Sequence, residues 1–233
     1  MTERPCWAVV PAAGIGNRMG AAMPKQYLPL AGRTVIEHSL GTLLNHPRIG
    51  GVVVVIGGTD TRWDTLRLAA RKPLLRATGG EERCQSVLNG LQSLQTHARP
   101  NDWVLVHDAA RPCLRTADLD RLIDTLTDDP VGGLLAMPVR DTMKRADGAG
   151  RISATVERSG LWHAQTPQMF RLGLLLEALR AVLQRHLFVT DEAAAVEALG
   201  LAPRVVEGHA DNIKITHPED LALAEFYLTH RQP

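Results

Sequence analysis

The sequence predicts an α/β protein: a doubly wound, mostly parallel, Rossmann-like sheet from which a β-arm protrudes. Three observations predict it. Short apolar runs suited to buried strands alternate with stretches of helical periodicity along the 233 residues. The first such run, residues 6–10, stops at a glycine-rich turn, Gly14-Ile15-Gly16-Asn17-Arg18-Met19-Gly20, closed by Pro24-Lys25-Gln26. One stretch, residues 139–157, leaves the alternation and is polar around a central Asp147-Gly148-Ala149-Gly150 turn. A chain of this length can bury one sizeable core, so residues 1–233 are expected to form a single domain.

The elements follow in order. Residues 34–45 carry Val35, Ile36, Leu40, Leu43 and Leu44 on one helical stripe, and Thr34 with Glu37 makes a capping box at its start. Residues 51–56 end in an unbroken β-branched run, the mark of a strand buried on both faces. Residues 63–71 are expected to be helical and 74–77 to form a short strand. Gly79-Gly80-Glu81-Glu82 opens a helix running to about residue 95. Trp103–Val106 is a strand ending at His107-Asp108, Thr116–Leu126 a helix, and 133–137 a strand. Residues 172–185 form an amphipathic helix, and Thr190 or Asp191 caps another that ends at Leu199-Gly200. A strand at 203–207 precedes a last helix, capped by Thr216-His217-Pro218-Glu219 and running to about residue 228.

The arm should pair residues 139–145 with 151–156. Its strands have too few apolar residues to hold a face against the core, and a lone two-stranded hairpin is marginal in water. It is therefore either a solvated excursion or a dimerisation arm completed by a second chain. A homodimer through residues 139–157 is the working expectation.

Composition excludes several classes. Twenty-six basic against 25 acidic residues leave a net charge of +1, without the broad field that draws nucleic acid or an anionic membrane. No apolar run approaches the ~20 residues that span a bilayer. The opening Met-Thr-Glu-Arg-Pro lacks the charge and apolar run of a signal peptide. Cys6, Cys84 and Cys113 have no metal-type spacing and are expected to be buried thiols in a reducing compartment. A soluble, cytoplasmic protein is expected.

The candidate site begins at the glycine turn. Three glycines remove side chains where a backbone must bend and approach a ligand. Consecutive N–H groups in such a turn form a concave anion site. Arg18 and Lys25 add a planar fork and a compact charge. The spacing is one residue longer than the dinucleotide fingerprint, its acidic ribose partner is missing, and no Walker Gly-Lys-Ser or Gly-Lys-Thr follows. These residues support either a nucleoside triphosphate loop or a structural strand-to-helix turn. Asp108 falls at another strand's carboxyl end, where ligands of open sheets bind. One carboxylate suffices for Mg²⁺ when a triphosphate supplies the other ligands; otherwise Asp108 is a cap and His107 a satisfied histidine. Only Lys25, Lys72, Lys144 and Lys214 are lysines, and three of them lie in the turn, the arm and the 211–214 segment. Where arginine is the default, lysine there suits a need for a point charge.

These residues together resemble the 2-C-methyl-D-erythritol 4-phosphate cytidylyltransferase family of the non-mevalonate isoprenoid pathway. The resemblance rests on Pro11-Ala12-Ala13-Gly14 through Arg18-Met19-Gly20, Pro24-Lys25-Gln26-Tyr27, and Gly79-Gly80 with Arg83 and Ser86. It continues in Val106-His107-Asp108-Ala109-Ala110-Arg111-Pro112, Pro138-Val139-Arg140-Asp141-Thr142-Met143-Lys144, Thr166-Pro167-Gln168, Thr190-Asp191-Glu192 and Asp211-Asn212-Ile213-Lys214. The first motif is common among sugar nucleotidyltransferases; the joint set is specific.

The resemblance implies a nucleotide-diphospho-sugar transferase type of fold. It implies in-line attack of methylerythritol phosphate on the α-phosphorus of CTP, with pyrophosphate leaving. Arg18 and Lys25 would be catalytic, and Asp108 would hold Mg²⁺ or another divalent cation. The nucleotide would be bound by Pro11, Ala12, Ala13, Gly14, Gly16 and Arg111, with Ala12, Gly80 and Ser86 reading cytosine and Ala109 and Glu81 near the ribose. Arg158 and Thr142 from a partner's arm, with Lys214, would grip the substrate phosphate. Thr166, Thr190, Asp191 and Asp211 would help position it. Glu81 departs from the aspartate frequent at its place, which implies a longer reach or a water to the ribose.

Overall fold

The computed structural model describes residues 5–14 and 23–230. Strand β1 (Cys6–Pro11) lies between β4 (Ile49–Ile56) and β6 (Trp103–Val106), parallel to both, with Val9 opposite Val53 and Val106. β5 (Leu74–Thr78) extends the sheet parallel to β4. On the other side β10 (Trp162–Arg171) runs antiparallel between β6 and β7 (Gly132–Pro138), and β11 (Arg204–Glu207) lies parallel to β7. The order is β11-β7-β10-β6-β1-β4-β5. β2 (Pro29–Leu30) and β3 (Arg33–Thr34) form a small ladder of their own.

Alternation along the central strands divides the core between two faces. Ala8, Val10, Val52, Val54 and Leu105 pack with Ile36, Leu40 and Leu43 of α1 (Val35–Asn45) and Leu119, Leu122 and Leu126 of α3 (Thr116–Leu126). Val9, Val53, Val55, Val104 and Val106 pack with Val87 and Leu91 of α2 (Arg83–Ser93) and Leu175 and Leu179 of α4 (Leu172–Gln184). Both faces of β4 are closed to solvent, which is why its sequence is a run of valines rather than an alternation. Each such side chain contributes roughly 1.5–3 kcal/mol on burial. Gly90 lets α2 lie close: a Cβ there would meet Val9 at 2.7 Å and Val55 at 2.8 Å.

The capping box forms as expected, with Thr34 accepting from the Glu37 N–H and Glu37 from the Thr34 N–H. α5 (Glu192–Glu197) is capped by Asp191, which accepts from the Ala194 N–H at 2.9 Å. α6 (Glu219–His230) lays Ala224 against Cys113, Val35 and Ile215.

Four readings are corrected. Residues 63–71 are not a helix: one 3₁₀ turn, Arg62–Thr65, gives way to irregular chain. Trp63, Leu66 and Leu68 still pack on the core, but the Glu37 carboxylate takes the Arg67 N–H at 2.8 Å, a tertiary bond that a helix would forbid. β10 was not foreseen, because Gln165-Thr166-Pro167-Gln168 is polar and proline argues against an interior strand. The register with β7 shifts between Ala164 and Gln168, where Pro167 sits. Cys84 is only partly buried, unlike Cys6 and Cys113. The arm pairs β8 (Met143–Ala146) with β9 (Ile152–Val156), tighter than 139–145 with 151–156, and its residues are almost all exposed.

Candidate active site

Beyond the carboxyl ends of β1 and β6 lies a cavity of about 310 Å³. Pro11, Ala12, Ala13, Gly14, Lys25, Gly80, Glu81, Ser86, Asp108, Ala109 and Lys214, all expected at the site, line it together. Gly16 and Arg18 lie outside the described residues. A cavity of about 590 Å³ beside α1 is larger, but its carboxylate, Glu37, is occupied by Thr34 and Arg67.

The walls are backbone-rich because glycine permits close approach. A Cβ on Gly79 would meet that of Ala13 at 2.3 Å, and one on Gly80 would meet Gln85 at 2.5 Å. Ser86 Oγ accepts from the Gly80 N–H at 3.1 Å, leaving its own O–H to donate. Ala12 gives its N–H to Val55 at 2.7 Å, so its carbonyl is what it can offer a base. Gln26 donates to that carbonyl at 2.7 Å and to Gly14 O at 3.1 Å, tying Ala12 and Gly14 to the segment bearing Lys25. Lys25 Nζ rests on Ile215 O at 2.7 Å.

Asp108 is the electrostatic centre. Arg83 Nε and Nη2 donate to Oδ1 at 3.1 and 3.0 Å, Lys214 Nζ meets Oδ2 at 2.8 Å, and Arg111 Nε lies 3.7 Å from Oδ2. Burial alone would raise its pKa, but Arg83, Lys214 and Arg111 outweigh that and hold the carboxyl well below the usual range. It is therefore ionised at neutral pH. The Asp108 N–H donates to Thr166 Oγ1 at 3.1 Å, and Thr166 Oγ1 lies 3.0 Å from His107 Nδ1. Burial pushes His107 down to about 4. As a neutral ring it accepts from Thr166 and donates Nε2–H to Arg111 O at 3.1 Å.

The remaining expected residues do not line this cavity. Arg111 backs Asp108 and donates to Asn212 O at 2.7 Å. Asp211 is held by Arg115 at 2.7 Å, and Asp191 accepts from Gln168 at 2.9 Å besides capping α5. Thr190 is exposed. Thr142 and Arg158 are exposed on and beside the arm, where Arg158 donates to Arg140 O. Among the residues of the quoted motifs with no expected role are Arg83 and Glu192. Arg83 lines the cavity, and Glu192, fully buried, grips it from behind at 2.6 Å. Glu192 does not signal by itself, since an acidic residue at a helix start is ordinary, whereas Arg83 at the start of α2 runs against the helix dipole.

This arrangement concentrates cations and N–H donors around one carboxylate, a composition suited to phosphates and a divalent ion. Residues 6–230 match the family described as IspD, 2-C-methyl-D-erythritol 4-phosphate cytidylyltransferase. The chain belongs to that family. A 2-C-methyl-D-erythritol 4-phosphate cytidylyltransferase of Pseudomonas putida (strain GB-1) is 60% identical over 216 residues, 92% of each chain. A crystal structure of a 4-diphosphocytidyl-2C-methyl-D-erythritol synthase superposes with a TM-score of 0.85 at 42% identity, covering 97% of this chain and 99% of that one. The Francisella tularensis member gives a TM-score of 0.82 at 34% identity, covering 96% and 99%. The family's nucleotidyltransferase fold is thus the one built here, mostly parallel with β10 reversed. No helix among the described residues is long and apolar enough to cross a membrane.

Proposed function

We propose that this chain, as a single nucleotidyltransferase domain in the cytoplasm, joins CTP and 2-C-methyl-D-erythritol 4-phosphate to give 4-diphosphocytidyl-2-C-methyl-D-erythritol and pyrophosphate. The observation that carries the reading is a glycine-walled cavity of about 310 Å³ in which Lys214 and Arg83 close on ionised Asp108 while Lys25 stands in the same wall. A phosphate oxygen of the acceptor forms a bond to the α-phosphorus as the bond to the bridging oxygen breaks, and that oxygen leaves with pyrophosphate. Such transfer needs positioning and charge neutralisation more than a protein nucleophile. Lys25, with Arg18, neutralises charge on the α-phosphate. The Ser86 hydroxyl and the Ala12 and Gly80 backbone read cytosine, with Glu81 and Ala109 beside the ribose. Lys214 holds the acceptor phosphate together with a partner's Thr142 and Arg158. Thr166, Asp191 and Asp211 support that subsite, and Thr190 lies at its rim.

Asp108 fits a divalent cation: it is ionised, faces the cavity, and keeps a lone pair on Oδ2 beyond those taken by Arg83 and Lys214. No cluster of three His, Cys, Asp or Glu that could hold a metal unaided occurs among the described residues, so substrate phosphates would have to supply the other ligands. Mg²⁺ there supplies charge neutralisation to the triphosphate.

The test is pyrophosphate release from CTP and Mg²⁺, with methylerythritol phosphate or ribitol 5-phosphate as acceptor. Release with the former is expected. Nucleotide binding without release from either acceptor would reduce the protein to a nucleotide binder.

A further inference from the structure

Glu192 lies at the first turn of α5 with none of its surface exposed. Its Oε1 accepts from Arg83 Nη1 at 2.6 Å and its Oε2 from Arg83 Nη2 at 3.2 Å, a two-point fork. The other edge of the same guanidinium, Nε and Nη2, closes on Asp108 Oδ1. One planar group thus spans two buried carboxylates, one wholly inside and one at the cavity.

A buried ion pair is a poor source of stability, because desolvation offsets its attraction and apolar side chains of similar volume serve as well or better. Its place beside Asp108 points to another use. Arg83 gives Asp108 two directed donors on one oxygen, which an ammonium such as Lys214 cannot do. As a carboxylate forked by Arg83, Glu192 offsets part of the guanidinium's charge, so those donors repel a divalent ion less than an unpaired guanidinium would; burial raises the Glu192 pKa and Arg83 opposes that rise. Glu192 also fixes the plane of the guanidinium, and through it the plane of the carboxylate.

We propose that Arg83 and Glu192 are a positioning pair that holds the Asp108 carboxylate in the orientation in which it binds a divalent cation. The inference rests on the reading of Asp108 as the metal carboxylate. Partners that orient a metal ligand typically change metal affinity by about 10- to 100-fold when replaced.

The experiment is a Mn²⁺ titration followed by electron paramagnetic resonance. The intact chain is loaded with α,β-methylene-CTP and no acceptor, for the parent, Glu192→Gln, Arg83→Lys and Asp108→Asn. Analogue affinity in EDTA and thermal melts are measured alongside. Glu192→Gln and Arg83→Lys should each weaken Mn²⁺ binding about 10- to 100-fold, with analogue affinity in EDTA within about twofold of the parent. Arg83→Lys keeps the charge and loses the fork, so it carries the test if Glu192→Gln does not fold. Mn²⁺ affinity within about twofold of the parent in folded variants, with Asp108→Asn weakened, would make the pair a structural tie and overturn the proposal. An equal loss of analogue affinity in EDTA would make Arg83 a direct nucleotide ligand and overturn it too. Unchanged Mn²⁺ binding in Asp108→Asn would sink the metal assignment itself, a failure distinct from either.

Discussion

Lys25 rests its ammonium on the Ile215 carbonyl, while Ile215 gives its own N–H to Ala110 at 2.8 Å, next to Asp108. A single residue near the chain's end thereby connects two expected site segments. An ammonium has three donors, so the bond to Ile215 is compatible with the phosphate contact proposed for Lys25. Histidines show the same economy of donors and acceptors. His46, at the end of α1, accepts from the Arg48 N–H at 3.3 Å through Nδ1 and lies 3.1 Å from Asp120 through Nε2. It therefore needs a neutral ring, and burial lowers its pKa despite the opposing pull of Asp120. A depressed histidine stabilises the fold fully above its unfolded value of about 6.5, and that contribution is lost as pH falls through 6.5 toward the folded value. His107 acts with the same sign. Urea midpoints should fall as pH is lowered from 7 to 5, and His46→Gln should flatten that slope; an unchanged slope would dismiss the assignment.

At the scale of elements, legibility followed chemistry. Thr116–Leu126 stood out because its apolar residues keep a helical period. The valine run of β4 was legible for the opposite reason, since two buried faces leave no alternation to misread. β10 was not, because its centre is a polar segment whose side chains serve the site. Gln168 reaches Asp191 and the Ala193 N–H, and Thr166 reaches Asp108. The segment after Thr65 misled because its apolar spacing suits either a helix or irregular packing, and the decision came from distant Glu37. In the site, the backbone cradle and the charged residues were legible by type. The Arg83–Glu192 fork was not, because two residues 109 apart in sequence meet only through the fold. α2 offers a test of packing. Gly90→Ala gains ~1 kcal/mol of helix propensity but adds a methyl against Val9 and Val55, an overpacking that costs roughly 1–3 kcal/mol. A lowered melting temperature is expected; an unchanged or raised one would show that the sheet yields freely.

The whole molecule raises the question of how the exposed arm is used. Met143, Ile152, Leu161 and Trp162 remain open to solvent on or beside it, as a surface awaiting a second chain would. If Arg158 acts in a partner's site, Arg158→Ala and Lys25→Ala chains should each be inactive alone. Mixed, they should regain about a quarter of parental turnover, from the fraction of sites with neither lesion. Verified mixed dimers without recovery would confine each site to one chain. The strand order has its own consequence for how the protein is made. β1, β4, β5 and β6 all precede residue 107 and can join as they leave the ribosome, but β7 has no neighbour in the sheet until β10 is synthesised. Lys25 waits longer still, for a carbonyl 190 residues downstream. With Lys25 in the role proposed for it, catalytic competence is among the last properties a nascent chain acquires, and a prematurely terminated product would be an incomplete scaffold rather than a slow enzyme.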